Sequence, residues 1–158
     1  MIFNIGNEKG EGAMSAVQPF CYLIGINPQK LSKQENILLE AILFVHLCDV
    51  LKEFFKEQHK TYFKLMKFTV EMENAMIDAH FMRLIINDIL KTGDYSLEGI
   101  AYYMDLPQEV VCEVAAGHNT NPSAIFFQKT LALHCEVKRD FYQEIIKTIF
   151  KKMTIEID

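Results

Sequence analysis

The five histidines are the first residues in this sequence that suggest a chemical site, because imidazole is a common metal ligand. A di-iron helical bundle would place a glutamate three positions before a histidine, and a zinc protease would carry HExxH. Neither pattern occurs, since the residues three positions before the histidines are Leu43, Lys56, Ile77, Ala115 and Leu131. Neighbours such as His134 and Cys135 also point in different directions on a helix. We predict no metal site and no cofactor, with these histidines in the core or at an interface.

The sequence offers equally little for nucleophilic or acid–base catalysis. It has no GxSxG segment, and none of its four cysteines lies in a recognisable catalytic or CxxC pattern. The glycine-rich segment 10–12 lacks the lysine of a phosphate loop. Glu71 and Asp78 belong to a polar stripe of the kind that a helix exposes to solvent. An enzyme is therefore the least supported class of function, and we predict no catalytic residue.

Composition indicates one globular, folded domain. Half of the 158 residues are hydrophobic, which is enough apolar surface to exclude a disordered chain, and only 7 glycines and 4 prolines exclude collagen-like or linker-like classes. With 16 Lys and Arg against 21 Asp and Glu, the net charge of -5 argues against a surface that is basic throughout. A localised basic patch stays compatible with these numbers.

The N-terminal segment and the cysteines bear on where the protein acts. Residues 1–30 are predicted to be a partly disordered leader, because residues 1–13 are polar and carry three glycines, and Met14 is a second candidate start. No export signal is visible, and the best apolar runs, 20–26 and 37–48, are much shorter than the about 20 residues of a membrane span. Cys21, Cys48, Cys112 and Cys135 then fit reduced thiols in a cytoplasmic protein.

Long helices are expected after this leader, because the 64 residues between Pro28 and Gly93 include no proline or glycine. Ser32 and Glu35 form a capping box that predicts a helix over residues 33–57. The polar residues that follow recur at helical spacing and predict a second helix over residues 60–78, which either breaks or runs on to residue 91. These polar residues are Lys60, Lys64, Lys67, Glu71, Asn74 and Asp78. We therefore expect residues 31–92 to form a long helical hairpin used for dimerisation.

Aromatic and methionine residues of this hairpin admit three interpretations. They line a ligand pocket, form ordinary core, or form the seam of a homodimer, because methionine-rich helix faces adapt to varied partners. The residues concerned are Tyr62, Phe63, Met66, Phe68, Met72, Met76, Phe81 and Met82.

Shorter elements follow from residue 93. Ser96 is the expected N-cap of a helix that ends at Met104, and Pro107 fits the first turn of a helix over residues 108–116 that Gly117 closes. Pro122 and Ser123 open a last helix that reaches about residue 153, with a break near residues 134–138. Residues 93–153 are expected to form one compact unit or two closely packed subdomains.

The segment from Phe81 to Val137 resembles the helix-turn-helix domain of the lambda-repressor and Cro type. The resemblance is carried by Leu84-Ile85-Ile86, by residues 95–101 (YSLEGIA), by residues 106–114 (LPQEVVCEV), and by Gly117 with Asn121-Pro122-Ser123. It implies a small residue, Ala101, where the two helices cross, and an apolar set that fixes their angle. The motif core would be Ile100, Ala101, Met104, Leu106, Val111 and Val114. Asp105 occupies the turn position that is usually glycine, and the N-terminal helical part resembles no family.

The same resemblance implies a DNA-reading surface on the second helix of the motif. The residues placed to read bases would be Gln108, Glu109, Cys112, Glu113 and Asn119. Residues 96–121 carry four acids and no Lys or Arg, so phosphate contacts must come from outside, with Arg83 and Lys91 before the motif and Lys129, Lys138 and Arg139 after it.

The sequence thus predicts an all-α protein in which an N-terminal long-helix hairpin packs with a C-terminal helix-turn-helix domain. Its first predicted function is a cytoplasmic, homodimeric regulator of transcription that binds double-stranded DNA. The alternative keeps the same fold as a protein-interaction or dimerisation module that does not bind DNA and takes a protein partner instead.

Overall fold

The structure is a computed structural model that describes residues 27–157, so the expectations for the leader before residue 27, including Cys21, lie outside the described residues. The described residues form eight α-helices and contain no β-strand, which confirms the all-α prediction. A 3-10 helix over Pro28–Lys30 precedes them. The helices are α1 (Lys33–Gln58), α2 (Lys60–Leu65), α3 (Val70–Ala79), α4 (Phe81–Leu90), α5 (Leu97–Met104), α6 (Gln108–Ala115), α7 (Ala124–Val137) and α8 (Arg139–Ile157).

The long first helix begins where the capping box predicts. The Ser32 hydroxyl accepts a hydrogen bond from the Glu35 amide at 3.1 Å, and Glu35 Oε2 accepts one from the Ser32 amide at 2.7 Å. These two bonds satisfy amide groups that have no partner within the helix, and so they fix the N-terminus of α1.

The chain between α1 and residue 91 is divided more finely than the sequence suggests. The predicted break is confirmed, but the placement of the polar stripe on one helix face is wrong. Lys60 and Lys64 lie on α2, Lys67 lies in the turn after it with φ 55°, and the remaining three residues lie on α3. All six side chains are nevertheless exposed. The next helix has its own N-cap: the Thr69 hydroxyl accepts a hydrogen bond from the Met72 amide at 3.2 Å, which starts α3.

The described chain divides into two compact units. The first contains residues up to Val50 together with residues from Lys138 onward. Within it, α1 buries Leu43 and Leu47, and α8 buries Tyr142, Ile146 and Ile149. The chain therefore leaves this unit at Val50 and returns at Lys138, whereas the sequence suggested divisions at residues 30 and 92.

The second unit spans Leu51–Val137 and contains the end of α1 and helices α2 to α7. Helix α4 contacts α6 and α7, and α5 contacts the same two helices. The apolar side chains that these four helices bury completely are Ile85, Ile86, Ile89, Ile100, Val111, Phe126 and Leu133. This apolar layer positions α5 and α6, which carry the predicted motif.

Candidate functional site

Helices α5 and α6 are joined by a turn of three residues, Asp105 to Pro107. The Ser96 hydroxyl starts α5 by accepting a hydrogen bond from the Gly99 amide at 3.0 Å, as predicted. The helix ends because Asp105 adopts a left-handed conformation, with φ 51° and ψ 51°. The Leu106 amide then donates to the Ala101 carbonyl at 3.0 Å, and the Asp105 amide donates to the Tyr102 carbonyl at 3.2 Å. This pair of bonds is a Schellman motif, which turns the chain sharply into α6.

The apolar residues assigned to the motif core lie inside the second unit. Ile100, Ala101, Met104, Val111 and Val114 are buried, and Leu106 is half-buried. A small side chain at Ala101 suits this position, since it is 3% exposed and lies on α5, which packs on α6.

The candidate reading residues lie on and just after α6. Gln108, Glu109 and Glu113 are exposed, whereas Cys112 and Asn119 are half-buried. The Asn119 side chain is already engaged, because its Oδ1 accepts a hydrogen bond from the Asn121 amide at 3.0 Å. The fully accessible part of this surface is therefore one amide and two carboxylates.

Arg83 holds the far end of α6, a role that the sequence did not predict. Its Nε donates to the Ala115 carbonyl at 3.1 Å, and so satisfies one of the carbonyl groups that a helix C-terminus leaves without a partner. Its guanidinium also lies against Gly117, where an added Cβ would be 2.8 Å from Nη1. Gly117 has φ 80°, as expected for the glycine that closes α6. Arg83 thus positions α6 through one of its five N–H donors, a role distinct from the predicted phosphate contact.

The other candidate phosphate contacts fall in both units. Lys129 is half-buried on α7 in the second unit. Lys138 is half-buried between α7 and α8, and Arg139 is exposed at the start of α8, both within the first unit. The second unit therefore contributes Lys129 and also Lys91, which is exposed directly after α4.

Two side-chain pairs link α7 to α4 and to α5. His134 Nε2 on α7 lies 2.8 Å from Asp88 Oδ2 on α4, with both side chains almost completely buried. The Tyr103 hydroxyl on α5 donates a hydrogen bond to Glu136 on α7. This bond, with burial and the negative charge of Glu136, raises the pKa of Tyr103 to about 12. The sequence did not predict these two pairs, because each joins residues that are more than 30 positions apart.

Groups of three or more His, Cys, Asp or Glu side chains that could hold a metal ion are absent from the described part of the chain. No helix among residues 27–157 is both long and apolar enough to cross a membrane.

Comparison with protein families, with curated proteins and with solved structures finds no match to this chain.

Proposed function

We propose that the protein is a helix-turn-helix regulator that binds double-stranded DNA with α6. The observation that carries this proposal is the joint between α5 and α6: two eight-residue helices, a three-residue turn closed by Asp105, and Ala101 buried on the helix that packs on α6. This is the arrangement that places the second helix of such a motif in the major groove. Gln108 at the start of α6 is then the residue best suited to a base edge.

The charge of this surface determines how such binding would work. Glu109 and Glu113 face outward on α6 and repel phosphate, so the affinity must come from groups around them. The first-turn amides of α6 can donate to a phosphate, as helix N-termini do. Lys91 and Lys129, which lie in the same unit as α6, supply the remaining positive charge in this proposal. We expect binding that is weak and strongly dependent on salt.

Homodimerisation belongs to the same proposal, since regulators of this type bind two half-sites. It is supported by large apolar side chains that the described chain leaves at least 45% exposed in both units. Among them are Ile37, Leu38 and Val45 on α1, and Tyr62, Leu65, Met66, Val70 and Met72 around the turn between α2 and α3. Sedimentation tests this part: a monomer at high concentration would contradict it.

A titration with a fluorescent random-sequence duplex tests DNA binding directly. We expect binding at low salt that weakens steeply as salt is raised. Glu109→Gln should tighten this binding several-fold, because it removes one repelling charge from the docking helix. Glu71→Gln is the matched control, because Glu71 is also exposed but lies on α3. Absence of binding at low salt, or binding without a salt slope, would contradict the proposal.

A second candidate function, a protein-interaction module, is favoured by the outer face of α5 and α6. Tyr102 is 89% exposed and lies one helical turn from exposed Glu98. An acidic face with an exposed aromatic ring suits a basic peptide segment, because tyrosine and arginine pair readily at interfaces. In that case the duplex titration shows no binding, and Tyr102→Ala or Glu109→Gln weakens capture of an arginine-rich peptide.

A further inference from the structure

The second unit contains a cavity of about 420 Å³, lined by residues of α2, α3 and α4 and the segments that join them. Three of its lining side chains are apolar rings or thioether groups, Tyr62, Phe68 and Met76, and three carry imidazole or guanidinium nitrogens, His59, His80 and Arg83. None of the residues that line it carries a carboxylate. The volume lies within the range of about 300–1,000 Å³ typical of small-molecule sites.

Arg83 has hydrogen-bonding capacity to spare in this cavity. A guanidinium has five N–H donors, and the bond from Nε to the Ala115 carbonyl uses one of them. No carboxylate of the described residues lies within ion-pair distance of its side chain, although Arg83 is only half-exposed. A half-buried arginine without an anion favours an anionic ligand, because the Nη groups can bind a carboxylate in a bidentate manner.

The two histidines supply further polar groups. His80 lies in the joint between α3 and α4, and its Nδ1 is buried without a hydrogen-bond partner, alone in this respect among the described side chains. Burial and the nearby charge of Lys91 lower the pKa of His59 below its ordinary value, so this imidazole is neutral at pH 7. A neutral imidazole can donate one hydrogen bond to a ligand and accept another.

We infer that this cavity binds a small aromatic carboxylate, with the carboxylate on Arg83 and the ring against Tyr62 and Phe68. We choose an aromatic ligand because Tyr62 and Phe68 line the cavity, and a single negative charge because Arg83 has no acidic residue beside it among the described lining residues. The same guanidinium holds the Ala115 carbonyl, so a ligand that draws Arg83 toward the cavity loosens the C-terminal turn of α6. Ligand binding in the cavity is thereby coupled to the helix that carries Gln108 and Glu109.

Calorimetric titration of the full chain with phenylacetate tests the cavity, with phenylacetamide as the uncharged analogue of the same shape. We expect saturable binding of phenylacetate at millimolar concentration or below, and binding of the amide about 10-fold weaker, as expected when a hydrogen bond to a charged group is lost. No binding of phenylacetate up to about 10 mM, or equal binding of the two compounds, would overturn the inference.

Two tryptophan substitutions locate the site without touching Arg83. Met76→Trp adds an indole to the cavity and should abolish phenylacetate binding. Met66→Trp is the matched control, because Met66 is 56% exposed and does not line the cavity. Unchanged binding in Met76→Trp would place the ligand elsewhere and overturn the inference.

Amide hydrogen exchange tests the coupling. Phenylacetate should speed exchange of the Ala116 amide, which donates to the Cys112 carbonyl in the last turn of α6, and should leave the α5 amides unchanged. Unchanged exchange at Ala116 in the saturated protein would refute the coupling through Arg83. None of these measurements includes DNA, so their failure and a failure of the proposed DNA binding are distinguishable.

Discussion

The turns that follow α2 and α5 share one backbone geometry but differ in how the sequence produces it. Each has a residue other than glycine in the left-handed region, Lys67 with φ 55° and Asp105 with φ 51°. Each is a Schellman motif: the Phe68 amide donates to the Phe63 carbonyl at 3.0 Å, just as the Leu106 amide donates to the Ala101 carbonyl. The first turn precedes a helix with a threonine cap, and the second leads into α6.

The difference lies in what holds each residue in this conformation. Aspartate visits the left-handed region readily, whereas lysine has no such preference. At Lys67 the driving contact is aromatic, because the rings of Phe63 and Phe68 stack with their centroids 5.4 Å apart. At Asp105 the residue in place of Phe63 is Ala101, so local conformational preference contributes more. The turn at Lys67 is thus stabilised mainly by side-chain packing, whereas the turn at Asp105 is stabilised mainly by the conformational preference of its own residue.

Removal of the aromatic stack between Phe63 and Phe68 should have the largest effect on stability. Phe63→Ala should lower the free energy of unfolding by about 3–5 kcal/mol, because Phe63 is 2% exposed and the change leaves a cavity as well as an unpaired Phe68 ring. Urea denaturation measures the loss. Tyr62→Ala is the control: this neighbouring ring is 51% exposed, and we expect a loss of about 1 kcal/mol. Equal losses in the two variants would show that the stack does not hold the turn.

Glycine substitutions at Lys67 and Asp105 should change the free energy of unfolding by smaller amounts, and they test the strain in each turn separately. Lys67→Gly should raise the free energy of unfolding by about 0.5–1 kcal/mol, because relief of the left-handed strain exceeds the added entropy of glycine in the unfolded chain. Asp105→Gly should change it by less than about 0.5 kcal/mol, since aspartate is already tolerated there. Both values come from urea denaturation.

Lys64→Gly provides the control for these glycine variants, because Lys64 lies on α2 close to the same turn. Glycine in a regular helix should lower the free energy of unfolding by about 1 kcal/mol. A stabilising effect of equal size at Lys67 and Asp105 would contradict the distinction between the two turns.

These two turns also explain how much of the fold could be predicted from the sequence. Local signals were sufficient for α1, α5 and α6, because Ser32, Ser96 and Gly117 act on amides or carbonyls a few residues away. The turn at Lys67 contains no proline or glycine, and the regular spacing of the polar residues continues through it, so one helix was predicted over residues 60–78. Its cause is a contact between two phenylalanine rings, which a search for turn residues does not detect.

In the candidate site, too, local features could be predicted from the sequence and contacts between distant residues could not. The resemblance to the helix-turn-helix family implied that Gln108, Glu109 and Glu113 are accessible on α6, and all three are exposed. The cap that Arg83 provides to α6 could not, because residue 83 is 32 positions away from Ala115 in the sequence. The sequence suggested a phosphate contact for Arg83, whereas its tertiary contact is with the end of α6.

The smallest expected effect is on the pH dependence of stability, through Tyr103 on α5. The hydrogen bond to Glu136 raises the pKa of Tyr103 to about 12, so the folded protein keeps this proton at a pH where the unfolded chain loses it. The resulting stabilisation is complete below pH 10 and is lost as the pH rises through about 12. Tyr103→Phe should therefore reduce the slope with which the free energy of unfolding falls between pH 10 and 12. The upper limit for one proton is about 1.4 kcal/mol per pH unit, and we expect much less than this because Tyr103 is 48% exposed. Tyr62→Phe is the control near the other turn, since the Tyr62 hydroxyl makes no hydrogen bond to another described residue. Urea denaturation at steps between pH 10 and 12 measures both slopes, and a Tyr103→Phe slope identical to that of the unmodified protein would contradict the assignment.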